Sequence, residues 1–440
     1  MPTNSAAGRR GPWYHGWNIV AVAVLSQIAA NGLAINSMSL FLQDWARDLH
    51  ALPSQLLLAM LPLAIVASVA SPIIGSLADK YPARLLFAAG LAGIALFCFL
   101  MSMVNATWQI WALYGLVFPV SLSLCTSITA NAVVSRWFVK RIGLALGITA
   151  FGVGIGGAVL PPIIAEAMPV IGWRGIWRIA ALITALVILP LVAWVVRDRP
   201  AERDGLDYLS ADGGASHSHH GHGHGGGGGG GLRWTDILKR RNFWLLVICF
   251  LPIVALYGAV QQNMAPIAAS HGFDGKVAGM LLLAFSVSHM AATLLLGLAS
   301  DRFGNRLPLA SLGVIIMLGA ALFAYGEGLP ALVAGAVLIG FTGGLWTLLP
   351  AAVAVEFGAS GVGRAFGTLM LFIPINAVAP SVMAKVREAT GAYAPALIGL
   401  GVICLVGSVA ILFMREKRGG HLTGDEKEAA LEDAVTTPIV

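Results

Sequence analysis

Hydrophobic residues fall in twelve long stretches, at about 17–41, 54–77, 85–104, 108–134, 143–166 and 175–196, then 243–267, 276–298, 308–325, 331–355, 365–386 and 393–414. Each matches the roughly 20 apolar residues that a helix needs to cross a bilayer. Most of the short connectors carry proline, glycine or charge, as at Pro53, Pro82, Gly172 and Gly328. The pattern predicts an all-α polytopic membrane protein. Its first six helices occupy 1–196, a polar linker 197–241, six more helices 242–418 and an acidic tail 419–440.

Composition removes the soluble alternatives. Of 440 residues, 58% are hydrophobic and 11% charged, and the mean hydropathy is +0.82. A soluble domain carries about 25% charge to cover its surface, so lipid is the solvent here. Cys98, Cys125, Cys249 and Cys404 all lie inside apolar stretches. They show neither metal spacing nor a disulfide pattern, and read as small buried hydrophobes. No nucleophile–base pair, nucleotide loop or intramembrane metal set is present, so neither an enzyme nor a cofactor is expected.

Charge gives the orientation. With loops alternating between faces, 21 of the 27 Lys and Arg fall on the side of the N-terminus. The positive-inside rule places both termini in the cytoplasm, in a plasma membrane such as the bacterial inner membrane. It also accounts for the net charge of +6 without nucleic acid. The linker carries HSHHGHGHGGGGGGG, in which five of the ten histidines precede seven glycines. Glycine at that density holds no fixed conformation. The histidines have no carboxylate or cysteine beside them to complete a rigid metal site.

The two halves repeat each other. Gly75-Ser-Leu-Ala-Asp79-Lys80-Tyr-Pro-Ala-Arg84 is echoed 222 residues later by Gly297-Leu-Ala-Ser-Asp301-Arg302-Phe-Gly-Asn-Arg306. Gly143-Leu-Ala145-Leu-Gly147 is echoed by Gly363-Arg-Ala365-Phe-Gly367 at an offset of 220, which also sets Arg136 against Glu356. Six-helix halves of like orientation joined by a long loop imply parallel repeats about an axis along the membrane normal, with a cavity between them.

The doubled loop motif and the 6+6 layout resemble the major facilitator superfamily over roughly residues 15–415. The run Arg136-Trp-Phe-Val-Lys-Arg141-Ile-Gly-Leu-Ala-Leu-Gly147 is similar to the pattern of the monocarboxylate and oxalate–formate porters. The first resemblance implies alternating access by a monomer. It assigns Asp79, Arg84, Arg136, Asp301, Arg302, Arg306 and Glu356 to a cytoplasmic gate, and has the first, fourth, seventh and tenth helices line the cavity. The second departs at Thr293, where those porters carry arginine, and at Ser39, near which their lysine is missing.

Polar residues deep in the bilayer are the candidates for solute contact, because unpaired polarity there is costly. They are Asn31, Asn36, Thr126, Tyr257, Gln261, His289, Trp346 and Asn376. Each Ser, Thr or Asn can equally serve as a helix–helix hydrogen bond. His289 titrates near neutrality and is a candidate to carry a coupling proton, with Glu166 a second; a neutral histidine bonded to Ser286 or a neighbouring helix is the equal alternative. Glu166 is also expected to pair with Arg174 or Arg178. The leading expectation is proton-coupled uptake of a small organic solute, a monocarboxylate. The alternatives are a neutral aromatic or vitamin-like solute, and a drug efflux antiporter. A receptor built on a carrier fold belongs to a different class and would bind solute without moving it.

Overall fold

The computed structural model describes residues 15–126, 129–130, 133–134, 137–138, 142–197, 237–357 and 362–413. The expected linker, except for its two ends, and the acidic tail lie outside the described residues. So do Arg136 and the side chains of Asp79 and Asp301.

Every regular element among the described residues is helical. Eleven helices are long and apolar enough to cross a membrane: α1 (His15–Asn36), α2 (Pro53–Ser71), α3 (Ala83–Met101), α4 (Thr107–Cys125), α5 (Leu144–Val195), α6 (Arg241–Gln262), α7 (Gly275–Ser300), α8 (Arg306–Tyr325), α9 (Gly328–Phe357), α10 (Ala365–Thr390) and α11 (Ala394–Phe413). Large apolar side chains such as Val69, Leu186, Leu294 and Val406 are more than half exposed. Such a surface suits hydrocarbon and not water.

The longest helix explains why eleven helices stand where twelve apolar stretches were read. A straight α5 of 52 residues would run about 78 Å at 1.5 Å per residue, against a hydrocarbon core of roughly 30 Å. It breaks instead at Gly172, whose φ of 66° and ψ of 168° are non-helical. That backbone region suits glycine and strains any L side chain. Just beyond the bend, Trp173 Nε1 and Arg174 Nη1 both donate to Asp48 Oδ2 at 2.8 Å. These donors hold the Asp48 carboxyl below its ordinary range. Arg174 also reaches the Val104 carbonyl at 3.1 Å and stacks over Trp173 at 4.1 Å. The bend is therefore tied to the ends of the helices beside it.

Close by, the first half is filled with aromatic rings. Trp45, Trp177, Phe41, Phe97, Tyr114 and Phe118 are fully buried, with centroids from 4.7 to 5.6 Å apart along the series Phe41–Trp45, Phe41–Trp177, Phe97–Trp177 and Phe97–Phe118. Tyr114 Oη donates to the Ala34 carbonyl at 2.9 Å, and Ser37 Oγ to the Gly32 carbonyl at 2.7 Å. Both serve the π-helical turn Gly32–Asn36, where the ordinary helical ladder is interrupted.

Helix ends define two faces. On the first, His15 Nε2 meets the Val195 carbonyl at 3.0 Å, Trp137 Nε1 the Arg197 carbonyl at 2.9 Å, and Arg306 the Leu412 carbonyl. This is the terminal face, since α1 begins and α11 ends there. The Asp48 bend marks the far face. The halves meet where α5 packs on α7, α6 on the segment 32–48 and α10 on α2.

Candidate functional site

Along the α5–α7 contact, glycine sets the spacing. A Cβ on Gly157 would lie 2.6 Å from Ser286 Oγ and 3.0 Å from Asn36 Nδ2, and one on Gly154 would lie 2.5 Å from Met290. Small residues let helices approach in a membrane, where no hydrophobic force draws them together. The approach brings polar groups of both halves into one seam. Asn36, on the π turn, donates from Nδ2 to the Val153 carbonyl at 3.0 Å. Its Oδ1 accepts from Gln261 Nε2 at 3.3 Å across the halves. Gln262 Nε2 crosses too, donating to the Ile35 carbonyl at 3.0 Å, while its Oε1 is buried without a partner.

The second cluster lies within the second half. Tyr257 Oη and His289 Nδ1 are 2.7 Å apart. The imidazole fits against Gly343, where a Cβ would come within 2.3 to 2.9 Å of Nδ1, Cγ and Cε1. Gly343 belongs to the 3-10 turn Thr342–Gly344 that interrupts α9. Trp346 follows it, edge-on to Phe250 at 5.5 Å and partly exposed.

The structure thus joins Asn36 to Gln261 and Tyr257 to His289. The other predicted solute contacts are placed differently. Asn31 Nδ2 bonds to Gln27 on its own helix, at 3.1 Å to the carbonyl and 3.3 Å to Oε1. Thr126 Oγ1 donates to the Leu122 carbonyl one turn back at 2.6 Å. Asn376 is buried, and its Nδ2 has no partner. Among the described residues, each Asp, Glu, Lys and Arg stands near a helix end or the Gly172 bend. His289 is the imidazole at depth, bonded to Tyr257 and not to Ser286.

Towards the far face the halves are clamped. Glu388 on α10 accepts from the Ser54 amide at 3.0 Å and from Ser54 Oγ at 2.7 Å. Ser381 Oγ donates to the Ser54 carbonyl at 2.6 Å. Ser54 follows Pro53 at the start of α2, so a carboxylate of one half caps a helix N-terminus of the other. Glu166 does not pair with Arg174 or Arg178 as expected: its Oε2 meets Lys276 Nζ at 2.8 Å, and Arg174 turns to Asp48. The Gly172 bend carries the two arginines away from Glu166, while the packing of α5 on α7 brings Lys276 to it. Both partners of the Glu166–Lys276 pair are over half exposed, and exposed ion pairs contribute about 0–1 kcal/mol.

The terminal face differs. A Cβ on Gly147 or Gly367 would meet nothing within 4 Å. Three of the expected gate residues there, Glu356, Arg302 and Arg306, meet partners in the second half. Glu356 Oε2 accepts from Asn242 Nδ2 at 2.8 Å, Arg302 lies over Phe303 at 5.5 Å and Arg306 reaches Leu412. Arg84 is exposed at the start of α3.

Sequence reasoning missed Ser54, Ser381, Glu388 and Lys276. Their signal was weak: hydroxyls and charges at helix ends, which read as ordinary boundary residues.

Comparison with known proteins agrees with this fold. An MFS-type transporter of Gibberella moniliformis (strain M3125 / FGSC 7600) is 26% identical over 363 residues, covering 79% of this chain and 78% of that protein. The riboflavin transporter RibJ of Trypanosoma brucei brucei (strain 927/4 GUTat10.1) is 29% identical over 198 residues, 43% of this chain and 35% of that protein. The fold is similar to the crystal structure of a bacterial homolog of the human lysosomal transporter Spinster, inward-facing and unoccupied. The TM-score is 0.68 at 13% identity, over 92% of this chain and 97% of that one. The family model of the Major Facilitator Superfamily matches residues 23–274 and again 259–439. Both halves are accounted for, and the chain belongs to the Major Facilitator Superfamily: a membrane transporter of small solutes, not an enzyme.

Proposed function

We propose that this protein is a twelve-span alternating-access carrier whose cargo is a small organic solute without net charge, held at the seam by Asn36, Gln261, His289 and Trp346. The observation that carries the reading is the chemistry at depth. Asn36 and Gln261 meet across the seam, and His289 and Trp346 stand on the second half beyond them, while among the described residues the formal charges stand near helix ends or the Gly172 bend. Desolvating a bare carboxylate there would lack a fixed cation to offset it. Two arms of α5 divided at Gly172 support the twelve-span count. The basic terminal face supports cytoplasmic termini in a plasma membrane, which makes the described conformation open to the cytoplasm.

His289 favours a second reading, the proton-coupled monocarboxylate. A proton held by the imidazole and an anion beside it would also cross as a neutral unit. Asn31, Thr126 and Asn376 stay candidates for the rearranged, far-face-open state. In this reading Asp79, Arg84, Arg136, Asp301, Arg302, Arg306 and Glu356 close the terminal face in that same state, and Glu166 serves the far-face clamp. The chain works as a monomer, each copy holding both halves of its own seam.

The test is uptake into proteoliposomes. Purified protein is expected to move riboflavin or a similarly neutral aromatic solute, with a rate independent of an imposed pH gradient. Lactate accumulation that follows the pH gradient would establish the second reading instead. Saturable binding of either solute with no flux would reject the carrier.

A further inference from the structure

We infer that Tyr257 fixes His289 in the tautomer protonated at Nε2, so that the imidazole meets the solute as a hydrogen-bond donor and does not carry the coupling proton. This rests on the carrier reading for what the donor touches, but the tautomer itself follows from the geometry alone.

The hydroxyl of Tyr257 is a donor and an acceptor, and Nδ1 of a neutral histidine is one or the other. At 2.7 Å the two atoms share one hydrogen bond. If Nδ1 held the proton and donated, the hydroxyl hydrogen would need an acceptor of its own. The structure gives Tyr257 Oη no second hydrogen-bond partner among the described residues; its ring lies tilted to Phe285 at 4.7 Å and edge-on to His289 itself at 5.7 Å. A half-buried hydroxyl whose described polar partner is Nδ1 alone is best satisfied by donating to it, so Oη–H donates, Nδ1 accepts, and the ring proton sits on Nε2.

Three features keep it there. Gly343 lets the ring lie close against the backbone of α9, where a Cβ would come within 2.3 Å of Nδ1. α7 packs against α5, α6, α8, α9 and the segment Met38–Asp48; the titratable groups of α8 and of that segment stand at their ends, and among the described residues those at the depth of His289 are Tyr257 and, farther along α6, Cys249. The carboxylates of the region stand at helix ends. Glu166 is engaged by Lys276 near the start of α7, thirteen positions before His289 in the sequence, about 20 Å along a helix. Among the described residues no carboxylate is near enough to stabilise an imidazolium. The Nε2 edge has no protein partner among the described residues, and it is the edge free to meet cargo. The class of cargo follows: a molecule presenting an acceptor, such as a carbonyl oxygen or an unprotonated ring nitrogen. Tyr257 is then a positioning residue that sets the polarity of the site.

The direct test needs no solute. Full-length protein labelled with ¹⁵N-histidine, with the His289 signal assigned by its loss in His289→Gln, is expected to show one protonated nitrogen, Nε2. That signal should stay constant between about pH 5 and 8, the range in which an ordinary histidine titrates. Tyr257→Phe should replace it with a mixture of tautomers that titrates in that range. A wild-type His289 that is protonated at Nδ1, or doubly protonated at neutral pH, overturns the inference. The transport arm uses riboflavin and lactate. Glutamine offers Nε2–H to cargo and Oε1 to Tyr257, so His289→Gln should recover much of the flux that His289→Ala loses. Equal loss in both variants overturns the donor role. If wild type moves neither probe, the cargo proposed above is wrong, while the spectra still decide the tautomer.

Discussion

The far and terminal ends of the same seam are built differently. At the far end the halves share three hydrogen bonds around Ser54 and an ion pair, Glu166–Lys276. At the terminal end, glycines in equivalent places of the repeat, Gly147 and Gly367, look into open space. A seam that was simply a packed interface would be closed along its length. Among the described residues, the cross-half bonds named above lie at the far end and in the amide cluster of Asn36, Gln261 and Gln262, the arrangement expected of a carrier whose halves part at the terminal end. Since the halves are repeats, the open end has the same glycine positions available for closure.

The sharpest way to break this comparison is to weld the far end. Ser54→Cys with Ser381→Cys places two thiols where side chain and backbone are now 2.6 Å apart. Oxidation should abolish flux and a reducing agent restore it. Transport by the cross-linked protein would mean that this end never opens.

Next in size is a pair of glycine substitutions. Gly157→Ala puts a methyl group 2.6 Å from Ser286 Oγ and should lower thermal stability, by about 1–3 kcal/mol for an overpacked contact. Gly147→Ala meets nothing and should leave melting unchanged or slightly raised, since alanine is favoured over glycine by up to about 1 kcal/mol in a helix. Flux should nevertheless fall if the terminal end closes on that glycine in the other state. A Gly147→Ala protein with full flux would show that the terminal end closes elsewhere.

The smallest effect concerns Asp48, which ties the bend of α5 to the far face. Its folded-state carboxyl is lowered, mainly by the Trp173 and Arg174 hydrogen bonds. The bonds therefore add stability in full above the ordinary carboxylate range, and lose it as the pH falls through the lowered folded value. The melting difference between wild type and Asp48→Asn should be present at neutral pH and vanish in acid. A difference that persists below about pH 2, under the ordinary carboxylate value near 4, would point to packing and not charge.

How much of this could be read from the chain alone depended on depth. Hydropathy finds where backbone enters lipid, so the apolar stretches foretold the helices closely; even 143–166 and 175–196 reappear as the two arms of α5 on either side of Gly172. The repeat was legible because Asp79 and Asp301 recur at a fixed offset. Rotation of each helix was not. Lipid and protein interior are both apolar, so a stretch such as α3 carries little sign of which face is buried. That is why Thr126 and Asn31, good candidates by depth, turn out to bond to their own helices. Partners across the seam were hidden for the same reason: Ser54 and Glu388 stand 334 positions apart. Glu166 found Lys276 and not its sequence neighbours because Gly172 turns the chain away.

The start of α2 carries one more consequence. Leu52, at its head, has no oxygen to cap the first turn; Gln55 reaches back to the Leu52 amide at 3.2 Å, and the charge on the Ser54 amide comes from Glu388 in the other half. Part of this helix's fold is thus on loan from a partner that must leave whenever the carrier turns over. When it leaves, that amide is bare to water, so its deuterium uptake becomes a clock for the cycle. The label would sit in the backbone itself, with no dye and no mutation.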